Sequence, residues 1–379
     1  MRVTCNQDDL HKALGTAGRA VAAKSTMPVL GNYLLEAADA HLTVSATNLE
    51  IGISCTIPAT VDKPGRVTLQ ARVLNELVAN LSAPTVELRQ EQNPLTVLVE
   101  AGHSRAHLRG IDPDEFPRPT ATLSDEPALR LDPSALRDAI AQVVFAAASD
   151  DSRPILAGVQ FEARDSIVQM AAADGFRMSL RTLPLDEEVR QPLSIIIPAR
   201  AMSELQRVLA DITEPVELRV TPNASQIVIT GPAVAFISRL IDGAFPDLKQ
   251  VVPRQWNTRT VILREQLLDA TRRATIFARS SNDVVKLEIC PADSGLDMGR
   301  VTISANAADT GDNRDDVDAQ VEGGEMQIAF NGRFLHDVLS VIRSTSVALE
   351  LQGPNSAGVI RPVDSDDFTH VIMPMVIGS

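Results

Sequence analysis

The sequence predicts an α+β protein of three repeated domains, each made of two helices and several antiparallel strands. Three observations predict it. The first is a pattern that occurs three times: Gln70-Ala71-Arg72-Val73-Leu74-Asn75-Glu76-Leu77, Pro198-Ala199-Arg200-Ala201-Met202-Ser203-Glu204-Leu205 and Asn331-Gly332-Arg333-Phe334-Leu335-His336-Asp337-Val338. Each copy reads small residue, arginine, apolar residue two further on, acid two after that, apolar residue. The arginines stand 128 and 133 residues apart, close to one third of the 379-residue chain. The second is a helix start upstream of each copy, anchored at Leu10, Leu136 and Leu267, which are 126 and 131 residues apart. The third is Ile111-Asp112-Pro113-Asp114-Glu115-Phe116-Pro117, echoed by Ile241-Asp242-Gly243-Ala244-Phe245-Pro246. One such match is expected by chance; three in register are not.

Taken in order, the predicted helices cover 7–24, 70–82, 133–147, 198–211, 264–280 and 332–343, with apolar residues at helical spacing and, for the upstream helix of each pair, an acid or proline in the first turn. Between them lie β-branched or alternating runs that read as strands. They include Tyr33–Ala37, Leu42–Ala46, Val86–Arg89, Ile167–Met170, Gln226–Thr230 and Val301–Ser304. Turns are expected at Ala37-Ala38-Asp39-Ala40 and Asn223-Ala224-Ser225. Linkers at Leu123-Ser124-Asp125-Glu126-Pro127 and Val252-Pro253-Arg254-Gln255 divide the chain into domains 1–123, 127–251 and 254–379. An acidic stretch, Asp309 to Asp318, is expected as a charged edge strand or partner surface.

Composition narrows the function. Hydrophobic residues make up 44%, but no apolar run approaches a membrane span, and the N-terminus lacks the apolar core of a signal peptide. Three cysteines (Cys5, Cys55, Cys290), odd in number and without metal spacing, predict a reduced cytoplasmic protein. Catalytic signatures are missing: no phosphate loop, zinc quartet, nucleophile elbow or His-Glu-x-x-His occurs. The acidic stretch fails as a calcium loop, because an EF-hand needs Gly at position 6 and Glu at 12, where Arg314 and Gln320 stand. His103 and His107 would share a strand face with no acid nearby, which makes a poor metal site. Asp174-Gly175-Phe176-Arg177 reads as a turn between strands, since no partner base accompanies Asp174. With aromatics at 3%, Trp256 and Tyr33 each being the sole example of its kind, base stacking on single strands is not expected. No catalytic residue, metal or cofactor is therefore predicted.

Charge is sorted. The net charge is -14, yet the six predicted helices hold 13 Lys/Arg against 9 Asp/Glu, and the remainder 22 against 40. Two readings stay open: ordinary solvated helices, or an acidic exterior with a helical surface that faces phosphates. Geometry bears on the second. A domain of about 125 residues is roughly 36 Å across, so three in contact leave almost no gap, whereas six leave a hole on the order of 35 Å. A dimer of the chain, unlike the monomer, thus has enough domains for a six-domain ring wide enough for a DNA duplex, in which twelve helices would contact phosphates without reading bases.

Four segments resemble one family, the beta subunit of DNA polymerase III, the bacterial DNA sliding clamp. They are Lys24-Ser25-Thr26-Met27-Pro28-Val29-Leu30-Gly31-Asn32, Ala172-Ala173-Asp174-Gly175-Phe176-Arg177-Met178, Asp242-Gly243-Ala244-Phe245-Pro246-Asp247 and Val371-Ile372-Met373-Pro374-Met375. The resemblance spans the whole chain in order. It implies the DNA clamp fold and a head-to-tail homodimeric ring, without catalytic activity, that encircles duplex DNA irrespective of sequence. It implies a processivity factor in DNA replication that tethers the DNA polymerase III alpha subunit and other proteins carrying clamp-binding motifs. A clamp-loader ATPase is the implied partner that opens the ring.

The resemblance also implies sites. Partner peptides, short and apolar-rich, are expected in a pocket formed by Ala173, Gly175, Phe176, Arg177, Met178, Pro246, Val251, Val371, Met373, Pro374 and Met375. Met and Pro suit it, being adaptable apolar surface. DNA contacts carry over to Lys24, which replaces a family arginine, and to Arg72, Arg200 and Arg153; the internal repeat adds Arg333, for which a structural role is the alternative. The dimer joint is expected to bring Leu108 of one chain to Ile276 and Phe277 of the other; beyond the resemblance, charge complementarity adds the expectation that Asp309 to Asp318 faces Arg105 and Arg109 across it. Departures from the family are Phe176 for a histidine, Pro154-Ile155 where some relatives carry two tyrosines, and the uncharged tail Val376-Ile377-Gly378-Ser379. They leave a housekeeping clamp and a diverged or inhibitor-resistant paralogue both open. The competing classes are an adaptor that keeps the pocket without DNA duty and, weakest, a hydrolase using Asp174.

Overall fold

The structure, a computed structural model, describes residues 1–91, 95–118, 129–150, 152–292 and 298–376, with Lys249 described by its backbone alone. The expected linker 123–127 lies outside the described residues.

The first third contains β1 (Arg2–Asn6), α1 (Gln7–Ala17), β2 (Asn32–Ala38), β3 (His41–Thr47), β4 (Ile51–Lys63), β5 (Gly65–Gln70), α2 (Ala71–Ala79), β6 (Thr85–Gln90), β7 (Thr96–Ala101) and β8 (Ser104–Arg109). The second contains β9 (Leu129–Leu131), α3 (Pro133–Val144), β10 (Gly158–Arg164), β11 (Ile167–Ala173), β12 (Arg177–Pro184), β13 (Leu193–Pro198), α4 (Ala199–Val208), β14 (Val216–Val220), β15 (Gln226–Thr230) and β16 (Val234–Arg239). The last contains β17 (Thr258–Leu263), α5 (Arg264–Ala278), β18 (Val284–Cys290), β19 (Gly299–Ala307), β20 (Gly311–Gly323), β21 (Met326–Asn331), α6 (Gly332–Val341), β22 (Ser346–Leu351), β23 (Gly358–Pro362) and β24 (Phe368–Ile372).

All six helices form where expected, and one expectation is corrected. The first helix was read through residue 24, but α1 stops at Ala17, followed by a single 3-10 turn at Gly18–Ala20. The reason is local. A Cβ at Gly18 would lie 2.6 Å from the Tyr33 hydroxyl oxygen, and that hydroxyl donates to the Leu14 carbonyl at 2.8 Å and accepts from Asn75 at 2.7 Å. The close approach of β2 to the end of α1 leaves room only for glycine and turns the chain away. Lys24 therefore sits on a loop.

The chain separates into two compact units, Met1–Arg137 with Glu204–Leu240, and Asp138–Ser203 with Ile241–Ser379. Each holds one twelve-stranded antiparallel sheet. In the first unit the strand order is β8-β7-β6-β1-β4-β16-β15-β14-β9, with β3, β2 and β5 branching from β4. The 13-residue β4 makes this possible, pairing with β1 toward its end and with β16 toward its start. In the second unit the order is β13-β10-β11-β12-β24-β23-β22-β17-β20-β19-β18-β21. The middle third of the sequence thus supplies strands to both sheets. Helix packing in the second unit shows what the repeat's small residue is for. A Cβ at Gly332 would meet Thr275 Oγ1 at 2.6 Å, so α5 and α6 approach too closely for a larger side chain there. The apolar positions of the repeat, Leu74, Met202 and Leu335, are buried.

The acidic stretch was expected as a charged edge strand or partner surface. β20 pairs with β19 through 311–319, whereas β17 takes only 319–323, so residues 311–318 are paired on one side alone among the described residues. Two of its carboxylates find partners within the chain: Arg273 binds Asp315 at 2.9 Å and holds its carboxyl below the usual carboxylate range, and Thr302 donates to Asp316 at 2.5 Å. Asp315 shares a face with the buried Val317 and Ala319 and is neutralised there by Arg273, while Asp316 and Asp318 lie on the opposite, exposed face.

Candidate functional site

The pocket predicted from sequence is assembled within the second unit by β11, β12, β23, β24 and the segment 245–252. Its floor is a buried apolar cluster of Ala171, Ala173, Met178, Leu248, Val359 and Val371, against which Leu180, Phe245, Val252 and Ala357 pack. Antiparallel register sets that floor, since Met178 stands opposite Val371 and Val371 opposite Val359, so the three side chains share one face. The rim is exposed and apolar: Phe176 is 62% exposed, Val251 51% and Met373 45%, beside exposed Pro246. Pro374 and Met375 follow on a segment tied down by the Met373 amide donating to the Phe176 carbonyl and the Met375 amide to that of Ala329, both at 2.8 Å. Large apolar side chains turned to solvent around a buried apolar floor are suited to holding apolar side chains of a ligand.

The turn 174–176 frames one end. Gly175 takes φ +96°, a conformation favouring glycine, and Asp174 Oδ1 accepts from the amides of Phe176 and Arg177 at 2.9 and 3.0 Å. Arg177 contributes differently from its neighbours. Its side chain is 10% exposed and runs inward, donating to Asp174 at 3.0 Å, to Asp337 at 2.7 Å and to the Phe145 carbonyl at 2.7 Å. Its guanidinium lies 4.1 Å from the centroid of the Phe334 ring. It fixes the turn rather than offering a cation to a ligand. The sequence reading missed Leu248, Phe245, Val359, Ala357, Leu180 and Val252. Phe245 lies in the Asp242–Asp247 segment already singled out and Leu248 directly follows it, and alternation along β12 would have added Leu180; Val359 joins the floor through strand pairing, and Ala357 and Val252 pack against it from outside the strands.

The basic residues fall in several places. Arg72, Arg200 and Arg333 each occupy the second residue of α2, α4 and α6, and all three are exposed. Arg72 pairs with Glu76 at 2.9 Å one turn on, Arg333 with Asp283 at 3.0 Å, and Arg200 has no ion partner among the described residues. Asp283, the partner of Arg333, directly precedes β18. Lys24 is exposed on its loop. Arg153 lies against the pocket turn, its guanidinium 3.3 Å from the Asp174 carbonyl oxygen, while Ile155 packs beside Gly243.

Of the expected joint residues, Arg105 is exposed and bound to Glu100 at 2.7 Å, and Leu108 is half-buried on β8. On α5, Ile276 is 62% exposed while Phe277 packs partly against the core of its unit. His107, read as lacking a nearby acid, has Glu91 at 3.2 Å, because the chain folds β7 and β8 back beside residue 91. Among the described residues no group of three His, Cys, Asp or Glu is placed to hold a metal ion. No helix among them is long and apolar enough to cross a membrane.

Three α+β domains, each with an arginine opening its second helix, define a protein of the DNA clamp class. Family models of the N-terminal, central and C-terminal domains of the DNA polymerase III beta subunit match residues 1–120, 130–247 and 249–376. The beta sliding clamp of Synechococcus elongatus is 30% identical over 383 residues, and that of Bacillus subtilis 29% over 385, each match covering at least 99% of both chains. Crystal structures of the sliding clamps of Bacillus subtilis and Pseudomonas aeruginosa superpose with TM-scores of 0.93 and 0.89 at 28% and 29% identity, covering all of both chains. The chain belongs to the DNA polymerase III beta-subunit family, the beta sliding clamps.

Proposed function

We propose that two copies of this chain close head to tail into a six-domain ring around duplex DNA. The ring tethers the DNA polymerase III alpha subunit, and other proteins with clamp-binding motifs, through the apolar pocket. It does no chemistry itself, acts in the cytoplasm and is placed on DNA by a clamp-loader ATPase. Its domains run 1–123, 127–251 and 254–379. The observation that carries this reading is the recurrence of an exposed arginine at one helical position in all three domains of a beta sliding clamp family member. Cations at the starts of helices, spread over three domains and joined by Lys24 and Arg153, suit loose contact with phosphates that permits sliding. Leu108, Ile276 and Phe277, with Arg105, are the residues proposed for the joint between chains. The carboxylates of 309–318 are proposed to add to it through those, such as Asp309 and Asp312, that no ion pair occupies among the described residues.

Retention on DNA tests the reading. After loading, in high salt, a topological ring stays on a circle and slides off the ends once the circle is cut. Equal loss from circular and linear DNA would instead favour an adaptor that keeps the pocket without encircling DNA.

A further inference from the structure

The pocket floor does not end at Val371. Two residues along each strand, on the same face and about 7 Å away, lies a second row: Leu180 on β12 opposite Thr369 on β24, with Arg361 on β23 donating to Thr369 at 2.5 Å. Val252, Pro253, Arg254 and Trp256 run over this row as a wall, enclosing a groove of 520 Å³. Leu180 and Val252 belong both to this groove and to the packing around the apolar floor, so the two are continuous.

The chemistry changes along that path. The first row is aliphatic. The second is cationic and aromatic: Trp256, the sole tryptophan, is 39% exposed at its edge, and Arg254 is exposed with no ion partner among the described residues. Glu350 in the groove is already engaged by Arg361 at 3.4 Å and by Arg259 at 3.6 Å, leaving Arg254 uncompensated. In a chain of net charge -14, a free arginine beside an exposed indole is a local reversal of the surface character.

We infer that this groove is an extension of the peptide pocket that receives an acidic segment flanking the apolar core of the same partner peptide, a carboxylate bound by Arg254 and an apolar or aromatic side chain set against Trp256, Val252 and Leu180. The inference rests on the pocket reading above. At about 3.3 Å per extended residue, a peptide leaving the apolar floor reaches the cationic row within two residues. Arg254 supplies a charge-assisted hydrogen bond, and Trp256 supplies contact area without ordering a flexible chain.

Fluorescence anisotropy decides it with three labelled probes: a six-residue Leu/Phe core peptide, and that peptide extended by Glu-Trp-Glu at its N-terminus or at its C-terminus. One of the two extensions is expected to bind the intact protein about tenfold tighter than the core, as one charge-assisted bond would give. Arg254→Glu and Trp256→Ala should each erase that gain while leaving core-peptide affinity within about twofold, which also reports that both variants fold. Extensions that bind no tighter than the core, or a gain that survives Arg254→Glu, overturn the inference and leave the pocket intact. Failure of the core peptide itself to bind overturns the pocket reading, and the extension with it.

Discussion

Arg177 Nη1 donates to Asp337 Oδ2 at 2.7 Å, joining the first residue of β12 to the middle of α6. The same guanidinium reaches Asp174 and the Phe145 carbonyl and stacks on Phe334. One planar cation therefore organises the turn 174–176, the end of α3 and α6 together.

Removing it takes the neutralising cation from the carboxylates of Asp174 and Asp337 and leaves the Phe145 carbonyl without its side-chain donor. Arg177→Ala is expected to destabilise by on the order of 3 kcal/mol, and Arg177→Lys to recover little, since an ammonium cannot span this fork and lie flat on a ring. Chemical denaturation measures both. A loss under 1 kcal/mol for the alanine variant would remove the organising role.

Gly175 holds φ +96° in the turn beneath Phe176. Gly175→Ala should cost about 1–3 kcal/mol, felt locally because the turn is exposed. Its signature is faster hydrogen exchange at the Phe176 and Arg177 amides with weaker peptide binding. Unchanged exchange would show that the turn accepts a side chain.

His370 is fully buried, shares a hydrogen bond with Ser179 at 2.8 Å and stacks near Phe145. Burial, reinforced by the positive charge of Arg177, lowers its pKa from 6.5 to about 3. Below pH 6.5 the unfolded chain takes up a proton that the folded chain refuses. The stability that neutral His370 allows is thus complete above pH 6.5 and lost as the pH falls from there toward 3, by on the order of 1.4 kcal/mol per pH unit at most. His370→Gln should flatten the acid limb of a stability–pH curve between pH 6 and 4. An equally steep limb in the variant would assign the acid sensitivity to the carboxylates.

Ile276 presents a large aliphatic side chain to solvent on α5. If it sits in the joint between chains, Ile276→Glu should shift the protein toward monomer in sedimentation while leaving its melting temperature nearly unchanged. Charge reversal at Arg105 and Arg109 together should loosen the same joint. Unaltered assembly in both variants would move the joint elsewhere.

The internal repeat, the six helices, the strands that flank them and the turns at Asp39-Ala40 and Ala224 were all legible as sequence. These features are written in short-range periodicity, in helix-start residues and in the turn-forming Asp39 and Asn223, and each depends on a few neighbours along the chain. The residues of the proposed pocket rim were named through the resemblance of Asp174–Met178 and Val371–Met375 to a known family, and the structure brings them to one side of the second unit's sheet. Other features depended on residues far apart in sequence. Tyr33 ends α1 from across a sheet. Only the last residues of β20 reach β17, which leaves its acidic part paired with β19 alone. The middle third divides its strands between two sheets, and register places Val359 beside Val371 and Arg361 beside Thr369. A one-residue change of register would turn each of those side chains to the opposite face. What the pocket floor is made of, and where it turns cationic, is therefore a property of strand pairing that no local pattern encodes.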